Sequence, residues 1–158
     1  MDAYYSRCRF HCACGRNKKI CVSQESVMNR DHFEQLIREA IVALPRNIRE
    51  ALDNVAFVVE QEPRRKKAKE VGIRMNETLL GLYEGIPRIK RDSGYFGVLP
   101  DKITIFQNPL EELSDGDENK LKKLAREVVQ HEIGHHLGLD EEELRALEAK
   151  KRKNKSQK

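Results

Sequence analysis

His131 and His135 stand four residues apart in the segment His131-Glu132-Ile133-Gly134-His135. On a helix, that spacing separates two side chains by about 40° around the axis, so both imidazoles can reach one metal ion. Glu132 follows the first histidine and projects toward the same cavity. It is placed to hold a metal-bound water and take its proton, while the two histidines serve as ligands. Zinc held in this way would bring the pKa of its water down to about 7 and polarise a carbonyl under attack. These residues point to hydrolysis of a peptide bond through a zinc-bound water, with Glu132 as the general base.

A zinc ion that keeps one position open for water needs three protein ligands. Beyond His135 the chain reaches Gly138, and a sharp turn there would bring Glu141 back toward the metal. Asp140 is the neighbouring candidate. Acidic residues at positions 140 to 143 also suit the start of a following helix, so ligand and cap compete for the same side chains. Glu141 is the expected third ligand, with Asp140 or a more distant residue the alternatives, and one zinc per chain is the expected cofactor. His136 lies on the adjacent helix face, where packing or support of a ligand is its expected role.

The elements that must position this segment can be read around it. A long helix is expected from about Glu118 to Leu137, ended by Gly138. Along it, Leu121, Leu124, Val128, His131 and His135 recur at steps of three and four, one stripe that faces the core. Glu141 to Lys150 reads as a last amphipathic helix with Leu144 and Leu147 inward. Upstream, Asn29 or Asp31 can cap a helix that carries Phe33, Leu36, Ile37, Ala40, Ile41 and Leu44 to Pro45, and a short helical piece follows to about Leu52. Val55 to Glu60, Thr78 to Glu84 and Asp101 to Gln107 read as strands, the last ended by Pro109. Gln61 to Gly72 and Arg88 to Gly97 read as exposed connections. The strand over Ile103 to Gln107 reaches the histidine helix through one loop.

With 158 residues there is room for one domain. Part of the net charge of +4 sits in the basic stretch from Lys150 to Lys158, so that figure overstates the charge of the folded body. No aromatic residue lies beyond Phe106, so the basic residues form no patch with aromatics between them, which argues against nucleic acid as a partner. No run of about 18 apolar residues could span a membrane. The first residues lack an apolar secretory core, and the expected location is cytoplasmic. All four cysteines, Cys8, Cys12, Cys14 and Cys21, lie in the first 21 residues. They do not spread through the fold as a disulfide framework would, and Cys12 and Cys14 are too closely spaced to chelate zinc well. Residues 1–27 are therefore expected to be an extension outside the core, residues 28–149 the domain, and residues 150–158 a basic disordered tail.

The chain resembles the small bacterial zincin-like metallopeptidases, sometimes called mini-gluzincins. Three blocks in order carry the resemblance: Leu80-Gly81-Leu82-Tyr83-Glu84-Gly85-Ile86-Pro87, Gly97-Val98-Leu99-Pro100-Asp101-Lys102-Ile103-Thr104-Ile105-Phe106, and His131 through Glu141. They lie in a stretch from about Asp53 to Leu147. Members often carry Asp where this chain has Glu141. The resemblance implies a compact α+β zincin-like core, a small mixed sheet of three or four strands packed with the active-site helix and two or three further helices. It also implies zinc on that helix and a peptide or unfolded protein as substrate. In zincins an edge strand near the helix binds substrate backbone, and the Ile103 to Gln107 strand is expected to do so here. Tyr95 is a candidate stabiliser of the oxyanion.

Two other functions compete. A metal-dependent endoribonuclease can carry two histidines four apart, but it follows them with a third histidine, which is absent beyond His136. A zinc-stabilised binding module would favour a closed shell of four ligands and has no use for Glu132.

Overall fold

The computed structural model describes residues 4–5, 9–10, 28–64, 78–91 and 99–155. The cysteine segment from Cys12 to Cys21, most of the 61–72 connection and Tyr95 fall outside these residues.

The first helix, α1 (Arg30–Val42), starts where Asn29 accepts a hydrogen bond from the Asp31 amide and turns Phe33, Leu36, Ile37 and Ala40 inward. A short helix, α2 (Arg46–Glu50), follows Pro45, whose fixed backbone starts it. Strand β3 (Val55–Glu60) then runs parallel to β6 (Asp101–Phe106), with Val55 opposite Asp101 and Glu60 opposite Phe106. Strand β5 (Gly81–Gly85) lies antiparallel on the other side of β6, with Gly81 opposite Ile105. Two dipeptides of the 1–27 segment also pair: β1 (Tyr4–Tyr5) with β5, and β2 (Arg9–Phe10) with β4 (Thr78–Leu79). The main sheet thus has the mixed order β1-β5-β6-β3.

That order corrects one expectation. The Ile103 to Gln107 strand is no edge: β6 is paired on both sides, so it has no free backbone to offer a substrate. Pro109 does not end it either. The strand stops at Phe106, and Pro109 sits in the first turn of α3 (Gln107–Ser114). Helix amides in the first turn have no partner within the helix, so the missing N–H of proline costs nothing there.

The helix α4 (Glu118–Leu137) has the bounds expected from sequence. Asp117 caps it, accepting from the amides of Asn119 at 2.8 Å and Lys120 at 3.1 Å. Gly138, at φ 102°, ends it in a left-handed turn that lets the Leu139 amide bond to the Gly134 carbonyl at 3.0 Å. One face of α4, with Leu121, Ala125, Val128 and Val129, packs against α1 and against Leu80, Tyr83, Ile103 and Ile105 of the sheet. Burying each large side chain of this kind contributes about 1.5–3 kcal/mol, so the helix that carries the histidines is anchored in the hydrophobic core. Leu79, Leu82 and Phe106 form a smaller buried cluster.

The last helix, α5 (Glu141–Lys155), runs five residues past its expected end at Lys150. Leu144 is buried as expected, but Leu147 is 46% exposed and faces outward. Among the described residues, no helix is long and apolar enough to cross a membrane.

Candidate metal centre

The core-facing stripe of α4 delivers His131 and His135 to one place. Both are buried, and their Nε2 atoms lie 3.1 Å apart. Each ring is held from behind through its other nitrogen. His135 Nδ1 lies 3.0 Å from the Leu139 carbonyl, and His131 Nδ1 lies 3.0 Å from Glu148 Oε1. A carbonyl or a carboxylate can only accept, so each Nδ1 carries the proton and each Nε2 presents its lone pair to the other. Two facing lone pairs repel unless a cation or a proton lies between them.

Glu141 completes the group. Its Oε2 stands 3.3 Å from His131 Nε2 and 3.5 Å from His135 Nε2. That oxygen is buried and makes no hydrogen bond of acceptable geometry. The ligand-type atoms of His131, His135 and Glu141 lie within 4.8 Å of one another. Its other oxygen, Oε1, accepts from Arg145 Nη2 at 3.0 Å and Nε at 3.1 Å. Burial works against ionisation of Glu141, while the Arg145 guanidinium, and a proton or cation held at the histidine Nε2 atoms, outweigh that and hold its carboxyl well below the ordinary range. Two imidazoles and one carboxylate that converge through ligand-type atoms fit a zinc ion.

Asp140 is used differently. Its Oδ1 accepts from the Glu143 amide at 2.8 Å, and Glu143 Oε2 accepts from the Asp140 amide at 2.9 Å. This reciprocal pair is a capping box that starts α5. It turns the Asp140 side chain to the helix end and leaves the next residue, Glu141, beside the histidines.

Glu132 is fully buried, and neither carboxylate oxygen has a hydrogen-bond partner of acceptable geometry. Burial chiefly pushes its pKa up to about 8 and the Glu141 charge adds to this, while positive charge placed at His131 and the Tyr83 backbone amide oppose it. Its ionised form, the one a general base needs, is favoured by positive charge at the point where the three ligand atoms meet. Gly81 of β5 makes room for it. A Cβ at Gly81 would lie 2.8 Å from Glu132 Oε1 and 2.8 Å from Val128 Cγ1, so only glycine lets the strand pass this close.

His136 points away from this group into a second buried cluster. Its Nδ1 lies 3.0 Å from Asp101 Oδ2 and its Nε2 3.3 Å from the Ala51 carbonyl. The same Asp101 oxygen accepts from the Tyr83 hydroxyl at 2.7 Å and from Arg91. Burial first, and then Asp101, raise the pKa of the Tyr83 phenol. Asp101 thereby ties β5, β6 and the residue after His135 together, which supports the expected packing role of His136.

Sequence reasoning thus picked out His131, Glu132, His135 and Glu141, and the fold brings all four together. It missed Gly81, Arg145 and Glu148. Arg145 and Glu148 had a legible signal, since they stand four and seven residues after Glu141 and so share its helix face.

A model of the family described as zincin-like metallopeptidase matches residues 52–151 of the chain. No curated protein matches it.

Proposed function

The chain belongs to the zincin-like metallopeptidase family, and we propose that it is a zinc-dependent peptidase with His131, His135 and Glu141 as ligands and Glu132 as general base. The observation that carries this reading is the meeting of three ligand-type atoms beside a fully buried carboxylate whose oxygens have no hydrogen-bond partner of acceptable geometry. Zinc, when bound, acts as a Lewis acid that acidifies water and polarises the scissile carbonyl. Glu132 orients the attacking water, takes its proton and then delivers a proton to the leaving amine. Glu148 and the Leu139 carbonyl hold the two imidazoles in the tautomer that binds metal. Gly81 lets β5 run directly over Glu132.

Substrate class separates this reading from the nuclease alternative. The zinc-loaded protein, offered an unfolded protein and a structured RNA together, is expected to generate new peptide N-termini and leave the RNA intact. Cleavage of the RNA with the protein untouched would contradict the peptidase reading.

A further inference from the structure

Glu141, Arg145 and Glu148 occupy positions i, i+4 and i+7 of α5 and fall within an arc of about 60° on one side of the helix. All three point to the same place. Glu141 Oε2 meets the histidine Nε2 atoms, Arg145 grips Glu141 Oε1, and Glu148 Oε1 lies behind His131 at 3.0 Å from Nδ1. Little else holds this helix to the body. Among its described residues only Leu144 is buried, seated on Gly134 of α4 where any larger residue would collide with it. Apart from Glu141, Leu144 and Glu148, its residues from 142 to 150 are exposed.

We infer that α5 is the second half of the metal centre, a clamp that closes on the histidine pair, with Glu148 as the positioning residue that fixes His131. This inference rests on the zinc site proposed above and goes beyond its ligand set. A carboxylate behind a ligating histidine does two things. It locks the ring with Nε2 toward the metal, and its charge makes that nitrogen a stronger donor.

The test is zinc affinity, measured by competition with a chromophoric chelator at fixed pH, for wild type, Glu148→Ala, Glu148→Gln and Glu142→Gln. Glu148→Ala is expected to bind zinc about 10- to 100-fold more weakly. Alanine is a better helix former than glutamate, so a loss of that size would not come from a weaker helix. Glu148→Gln keeps an oxygen that accepts from Nδ1 and should recover part of the loss. Glu142 is exposed and removes the same charge, so Glu142→Gln should match wild type. Cobalt(II) in the site gives a second readout: the visible bands of Glu148→Ala should shift as His131 reorients. The inference is overturned if Glu148→Ala binds within twofold of wild type, or if Glu142→Gln loses as much. If wild type itself takes up no zinc, the ligand assignment fails as well, which separates the two failures.

Discussion

Glu132→Gln is expected to keep its zinc and its fold while losing about 100- to 10,000-fold in turnover, the range typical for removal of a general base. The amide has nearly the shape of the carboxylate, so the close fit against Gly81 and Val128 is kept. None of the three ligand atoms belongs to residue 132, and metal content should stay at the wild-type level. The amide oxygen cannot take the proton from water, and general-base assistance is the one function removed. The comparison is turnover of an unfolded protein substrate at full zinc occupancy, with metal content measured on the same preparations. Undiminished turnover would remove Glu132 from the mechanism, and loss of zinc together with activity would make it a structural residue.

The second large effect belongs to Glu141. Glu141→Ala leaves two imidazoles, and zinc affinity should fall by more than the ~10–100-fold that follows loss of a group supporting a ligand. Asp140→Ala should behave quite differently. It breaks one half of the capping box with Glu143, at a cost of about 1 kcal/mol, which can weaken binding by no more than about fivefold. Both variants should be titrated in one buffer at one pH, because ligand protonation makes affinity pH-dependent. Equal, small losses would put the third ligand elsewhere. A large loss for Asp140→Ala alone would mean that the chain turns one residue earlier.

These two acidic neighbours show where sequence reading reaches its limit. The bounds of α4 were legible because local chemistry sets them: a cap at Asp117, a stripe at helical spacing, and a glycine able to take φ 102° at position 138. The His-Glu-x-x-His segment was legible for the same reason, as spacing on one helix. The choice between Asp140 and Glu141 depended on which side chain the next helix uses as its cap. The Asp140–Glu143 spacing held that answer, since reciprocal capping needs residues three apart.

The rank of β6 in the sheet was harder to see. An edge strand was expected there, whereas Ile103 through Phe106 are all buried. Its partners, β3 and β5, both precede it in the chain and flank it in the sheet, and no local pattern shows which strands will do so. Pro109 misled in a related way. Proline stops a strand and also starts a helix, and only the fold decides between them. Leu147 followed the apolar pattern of α5, but the helix docks through its polar face, with Glu141 and Glu148 inward, and leaves Leu147 in solvent.

The central claim is that one zinc ion per chain makes this protein a peptidase. Its most direct test is a titration. The metal-stripped protein receives increasing zinc, and the rate of formation of new α-amino groups from an unfolded protein substrate is followed. The rate should start near zero, rise in proportion to zinc and level off at about one equivalent per chain, the stoichiometry set by one group of three converging ligands. A rate that does not respond to zinc, or no hydrolysis at full zinc occupancy, would contradict it.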